Sequence, residues 1–244
     1  MAGAITASEP SRTGPSTGLS PRQFGKLVTA LRREGADPVC KGRPWSLPLE
    51  DRALLVAASG IFPACVGCRV IKRLRPLPAI EPAARPSDAV ERLWIVDGTL
   101  IPVRDRKVGA SSRDFRFSAN VRVIIVADTK LVVAAARPAP GNTADARAWR
   151  DSGLARHCDG VTVLADGAHI YTGPVAPHRK RPGRALLPGE EEDNAEHRRV
   201  RARVERAFAR MKHYKILGDC RQHGNGLHHA VQAVAHMQNL AMAA

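Results

Sequence analysis

The sequence predicts an α/β fold, a mixed sheet flanked by helices and preceded by a small helical N-terminal module. Three observations carry that expectation. Apolar residues recur at helical spacing in two segments before residue 60, runs rich in Val and Ile take over from residue 93, and helical spacing returns after the fourth such run. Between the two regimes EPAARPSD, Glu81 to Asp88, reads as part of a linker over 81–92, which divides a module at 19–80 from a larger domain at 93–244.

Residues 1–18 are rich in Ser, Thr, Pro and Gly and nearly devoid of large apolar groups. So little burial cannot offset the entropy of ordering, and a disordered tail is expected. From Leu19 to Arg33 a Ser-Pro start, Phe24, Leu27, Val28 and Leu31 at helical spacing, and two closing arginines predict an amphipathic helix. A second helix is expected over Leu47 to Ser59, opening at Pro48. The stretch from Cys68 to Ile80 is basic and broken by Pro76 and Pro78.

Strands are expected at Leu93 to Val103, Ser118 to Ala127 and Lys130 to Ala136, with Asp128-Thr129 as a tight hairpin turn. Pro138 to Asn142 reads as a turn, and Thr143 to His157 as a helix capped by Thr143. A fourth strand, Val161 to Ala165, ends at Asp166. A Gly-, Pro- and Arg-rich segment then leads to a long helix from about Glu190 to Tyr214 and a last one over Asn225 to Ala243. Three strands, a helix, a strand and then helices is the order of a ribonuclease-H-like domain, in which the fourth strand lies beside the first and parallel to it.

Charge narrows the function. The 244 residues hold 38 Lys and Arg against 23 Asp and Glu, a formal net charge of +15. A polyanion is the natural partner, and nucleic acid the first choice, because phosphate neutralisation releases counterions. The N-terminus lacks a basic and then apolar leader pattern, and no apolar run approaches membrane-spanning length, so a cytosolic protein is expected. Five cysteines, Cys40, Cys65, Cys68, Cys158 and Cys220, are an odd and scattered set, expected as reduced thiols. Cys65 and Cys68 form a C-x-x-C without the second ligand pair that a structural zinc site requires.

Three carboxylates stand out. Asp97 interrupts the apolar strand LWIVDGTLI, where a bare charge is costly; a solvent-facing Asp at a bulge beside Gly98 is the plain alternative. Asp166 ends the fourth strand, where ligand sites gather in α/β sheets, although Asp-Gly is also an ordinary turn. If strands one and four are neighbours, both side chains can approach one point, which suits an oxygen-seeking cation such as Mg²⁺. Glu205 lies on a helix face with Arg201, Phe208 and Lys212, beside the apolar stripe Val200, Val204, Ala207, Met211; a salt bridge to Arg201 is the bland reading.

These motifs resemble the bacterial insertion-sequence transposases with a ribonuclease-H-like DDE domain. The resemblance is carried by IVDGT at Ile95 to Thr99, SANVRVIIVAD, PGNTAD at Pro140 to Asp145, LADGAH at Leu164 to His169, and RVRARVERAFARMKHYKIL. The last matches the family's pattern of Arg, three residues, Glu, six residues, Lys at Arg201, Glu205 and Lys212. It covers about residues 93–242 and, more weakly, 18–80.

The resemblance implies that Asp97, Asp166 and Glu205 are catalytic and hold two divalent ions, Mg²⁺ or Mn²⁺, for DNA strand cleavage and strand transfer. It implies phosphate contacts by Arg201 and Lys212; Arg198, Arg179 and Lys180 join them as candidate DNA contacts, or stand as a merely solvated basic surface. The partners it implies are double-stranded DNA, as element ends and target, and a second copy in a synaptic homodimer, in a nucleoid-associated cytoplasmic setting. The N-terminal module is then a shortened helix-turn-helix-like region, since 58–80 is brief and interrupted by Cys and Pro. Two positions depart from the family pattern. Arg198 stands where a tyrosine often precedes the motif's arginine, and His169 with Tyr171 replaces the usual Gly-Tyr. Alternatives are a decayed copy that binds DNA without transposing, and a structure-specific nuclease on the same fold.

Overall fold

A computed structural model describes residues 7, 10–36, 47–59, 93–112, 117–169 and 172–242. The stretch 60–92, which holds most of the shortened helix-turn-helix-like segment, the linker, Cys65 and Cys68, lies outside them, as does Cys40.

Among the described residues the N-terminal sequence forms three helices. The tail expected to be disordered instead carries α1 (Pro10–Thr17). Its order comes from tertiary docking that composition does not register: Thr13 and Thr17 are buried, the Thr17 hydroxyl donates to the Thr13 carbonyl, and the Ala7 N–H donates to Asp51 Oδ1 at 2.6 Å. Ser20 caps α2 (Pro21–Arg33) as its sequence predicts. Its hydroxyl accepts the Gln23 N–H and the Gln23 side chain accepts the Ser20 N–H, satisfying two end donors reciprocally. Phe24, Leu27, Val28 and Leu31 are buried as the spacing requires, and Leu49, Ala53, Leu54 and Val56 bury one side of α3 (Leu49–Ser59).

The sheet has the order β3-β2-β1-β5. Strand β1 (Trp94–Pro102) pairs antiparallel with β2 (Ser118–Val126), which pairs antiparallel with β3 (Val132–Ala135) and with the two-residue β4 (Ala139–Pro140). Strand β5 (Val163–Leu164) lies parallel to β1, as the ribonuclease-H-like order requires. It is shorter than expected, and Val175 holds its other side: the Val175 N–H donates to the Val163 carbonyl and the Ala165 N–H to the Val175 carbonyl.

Three local expectations need correction. The Asp128-Thr129 hairpin is a wider turn, with the Lys130 N–H donating to the Val126 carbonyl and Lys130 in the left-handed region at φ 60°. Within the expected turn Pro138 to Asn142, Ala139 and Pro140 extend along β2 as β4, and Gly141 follows so closely that a Cβ there would lie 2.6 Å from the Ser118 carbonyl oxygen. Thr143 does not cap the next helix, α4 (Asp145–Ser152); Ala144 holds the cap position without a side-chain bond. Gly153, at φ 69°, ends α4 early, and Leu154–His157 continues as a 3-10 turn.

The long helix α5 (Pro188–His213) opens with Pro188 and Glu190, whose carboxylate accepts the Leu187 N–H. Short α6 (Lys215–Gly218) and α7 (Gly226–Met242) follow. Alternation along the strands divides two cores. Ile95, Ile101, Val121, Val123 and Ile125 face α2, α3, α5 and α7, whereas Trp94, Val96, Ile124 and Val126 face Trp149 of α4 and Leu154. The N-terminal helices therefore share a core with the catalytic-domain candidate. A pair of polar side chains on α7 also covers the edge strand: Asn239 exchanges two 2.8 Å bonds with the Val132 backbone, and Gln232 donates to the Ala135 carbonyl. Among the described residues no helix is long and apolar enough to cross a membrane.

Candidate active site

The parallel β1–β5 register, Trp94 opposite Val163 and Ile95 opposite Leu164, sets Asp97 level with Asp166 when it is run two residues further. Alternation places Asp97 on the face of Ile95, toward α5. Its Oδ1 accepts the Gly98 N–H at 2.8 Å and its Oδ2 accepts Arg201 Nη2 of α5 at 2.9 Å. Both side chains are largely covered, 15% exposed for Asp97 and 21% for Arg201. Burial pushes the Asp97 carboxyl above the ordinary carboxylate value; Arg201 and the Gly98 N–H pull against that, and the neighbouring Asp166 charge adds to it.

Asp166 is shifted the other way. A bond from His169 holds its carboxyl below the ordinary value against the opposing effect of burial, helped by the Ala168 N–H and by Arg201. Its Oδ1 takes both local bonds, from His169 Nδ1 at 2.6 Å and from the Ala168 N–H at 3.1 Å, within the 3-10 turn Gly167–His169. Two carboxylates in mutual electrostatic reach, with opposite shifts and the Arg201 guanidinium bonded to one of them, offer oxygen ligands from adjacent segments of the sheet. Such a pair matches what an ion of the magnesium type takes from protein, one or two carboxylates among waters.

Beneath the pair lies a cation that sequence reasoning missed. Arg122 of β2 is 1% exposed, ion-paired with Asp145 at the start of α4, and close enough to Asp97 and Asp166 for both charges to act on it. The signal was in the sequence. Arg122 interrupts the apolar run VRVIIV as Asp97 interrupts LWIVDGTLI, and the same cost argument applies to both. Gly98 makes room for this layer, since a Cβ there would stand 2.9 Å from Asn120 Oδ1 and 3.5 Å from the Arg122 guanidinium.

Of the residues expected at the centre, the structure brings together Asp97, Asp166 and Arg201. Glu205 lies one turn further along α5, with its side chain exposed, and among the described residues no group of three His, Cys, Asp or Glu is gathered as a metal would need. Arg201 bonds Asp97 rather than Glu205. Arg198 and Lys212, on α5, are exposed, and so are Arg179 and Lys180 in the loop before it. Asn194 of α5 steadies that loop by bonding both the N–H and the carbonyl of His178.

Comparison with known proteins gives two matches. Residues 96–239 match the family model described as DDE superfamily endonuclease. A Streptomyces albus G protein designated a transposase for insertion sequence element IS112 is 51% identical over 257 aligned positions, covering 99% of each chain. That alignment is longer than the 244 residues here, so the relative carries residues without counterpart in this chain. No solved structure matches.

Proposed function

The chain belongs to the DDE superfamily endonucleases and is a transposase-type enzyme with DNA as its substrate; from that premise we propose that it cuts and joins the strands of an insertion sequence. The observation that carries the proposal is the approach of Asp97 and Asp166 from adjacent parallel strands. In this reading the two aspartates, with Glu205 as third acid, hold two divalent ions, Mg²⁺ or Mn²⁺. When bound, such ions supply an activated water or 3′-hydroxyl and stabilise the leaving oxygen of an in-line displacement.

The chain's own residues have distinct parts. Asp97 and Asp166 present carboxylate oxygens to one point. Arg201 balances the Asp97 charge until the centre is loaded, then is available to a phosphate. Lys212, Arg198, Arg179 and Lys180 contact backbone phosphates and set the position of the duplex without reading sequence. Element ends and target are double-stranded DNA, a homodimer brings two ends together, and the protein works at the nucleoid in the cytoplasm.

Supercoiled plasmid incubated with the full chain and Mg²⁺ or Mn²⁺ tests this. Nicking that Asp97→Ala and Asp166→Ala each abolish is the expected result, and equal cleavage by either variant overturns the mechanism. A second reading, a decayed copy that binds DNA without cutting, draws on the exposure of Glu205; it predicts retarded DNA and no metal-dependent nicks. Cleavage confined to branched DNA, with no joining of strands, would mark a structure-specific nuclease instead.

A further inference from the structure

We propose that Arg122 and His169 form a buried relay that positions Asp166, fixing which of its oxygens faces the centre. The proposal deepens the functional reading above and rests on it. Arg122 Nη1 lies 2.8 Å from His169 Nε2. A guanidinium has only donors, so Nε2 must accept, and the single ring proton sits on Nδ1. That proton is donated to Asp166 Oδ1 across 2.6 Å. With the Ala168 N–H on the same oxygen, Oδ1 is committed to the protein, and among the described residues no hydrogen bond falls on Oδ2. Oδ2 is the oxygen left for a cation.

The relay is anchored at both ends. His169 is 0% exposed, and its ring meets Trp149 edge-on with centroids 6.1 Å apart. Trp149 Nε1 donates to the Thr172 carbonyl, and the Thr172 hydroxyl donates to the His169 carbonyl at 2.6 Å. Arg122 is fixed by Asp145, which also accepts Asn120 Nδ2 at 2.9 Å. Alternation puts Arg122 on the α4 side of the sheet, opposite the face that Asp97 shares with Ile95. Buried there, Arg122 and His169 cannot touch DNA, so their influence on the centre runs through Asp166. They are positioning residues.

Substitution separates the two bonds of the imidazole. An asparagine amide nitrogen falls near the place of Nδ1, so His169→Asn keeps a donor for Asp166 and loses the acceptor for Arg122. His169→Gln reaches the place of Nε2, so it keeps an acceptor for Arg122 and leaves Asp166 without its donor. Binding of Mn²⁺, read from the loss of the free-ion electron paramagnetic resonance signal, is expected to weaken about 10- to 100-fold in His169→Gln and to stay within a few-fold of wild type in His169→Asn. The Mg²⁺ concentration for half-maximal nicking should shift in parallel. Equal weakening in both variants, or none in His169→Gln, overturns the relay.

Two controls separate the failures. If Asp97→Ala binds Mn²⁺ as wild type does, the metal reading itself falls and takes the relay with it. The second uses the unaltered chain and does not depend on a variant folding: imidazole ¹⁵N spectra should show His169 with its proton on Nδ1, and a proton on Nε2 alone overturns the proposal.

Discussion

Arg201 on the long helix and Asp97 on the central strand, 104 residues apart in sequence, meet through a 2.9 Å charge-assisted bond that buries most of both side chains. The guanidinium sits on Oδ2 while Oδ1 accepts the Gly98 N–H, so both oxygens of the carboxylate are engaged by the protein.

Removing Arg201 should therefore destabilise the metal-free protein. Arg201→Met is expected to cost about 1–3 kcal/mol, because Asp97 keeps a covered charge and loses its partner. Asp97→Asn combined with Arg201→Met should cost less than the two single changes added together. Urea melts of the four proteins measure the coupling, and strict additivity would show that the pair is energetically idle. Mg²⁺ should raise the Tm of Arg201→Met more than that of wild type, since no guanidinium has to leave.

Asp105 predicts a pH dependence. Its carboxylate accepts the Lys107 N–H at 2.9 Å and the Gly224 N–H at 2.8 Å, fastening the end of β1 to the turn before α7, and the Gly224 bond is the first cause of its lowered pKa. A carboxyl held below its unfolded value stabilises the fold above that value, and the contribution is lost as pH falls through the folded one. Stability should drop below about pH 4, more steeply in wild type than in Asp105→Asn. Identical pH profiles in chemical denaturation would refute this.

Asn239 guards the sheet edge. Asn239→Leu leaves the buried N–H and carbonyl of Val132 without the two bonds the amide supplies, at a cost of about 1–3 kcal/mol for each unsatisfied group. Amide hydrogen exchange at Val132 should accelerate along with global destabilisation; unchanged protection there would show that another group takes over.

The basic surface makes a prediction about salt. Each phosphate contact contributes about 0.9 to the slope of log affinity against log salt concentration. Arg179→Ala with Lys180→Ala should flatten that slope by about 1–2. Arg198→Ala and Lys212→Ala should each flatten it by about 1. A slope equal to wild type would class the residue as solvated surface.

Much of this architecture was legible because local and tertiary preferences agree. Ser20-Pro21 with Gln23 caps a helix in any context, and Val- and Ile-rich runs buried on both faces form the strands they predict. Asp97 and Asp166 stand out in the sequence because a charge inside an apolar strand and an acid at a strand end are each unusual, and the parallel strand order sets them level with each other. Failures came where distant contacts decide. No local pattern orders Pro10–Thr17; docking on α3 does. Thr143 looked like a cap, but the chain at Ala139 and Pro140 follows β2 and the helix begins later. His169 stood out only as a departure from a motif, because its bond to Arg122 joins residues 47 apart in sequence. Glu205 is expected at the centre from helical spacing and from the Arg-Glu-Lys motif, and on α5 its side chain is exposed; spacing gives the face of a side chain but not its reach.

Phe24, Leu27 and Leu31 of α2 sit in the same apolar core as Val231, Val234 and Leu240 of α7, and Gln23 donates to the Ala241 carbonyl. An exchange of N-terminal halves between distant copies would put side chains of mismatched volume into that shared interior, where a single methylene is felt. The helices at the front of the chain and the sheet behind them therefore constrain each other's side-chain volumes, so a substitution on one side of that interior is coupled to those on the other.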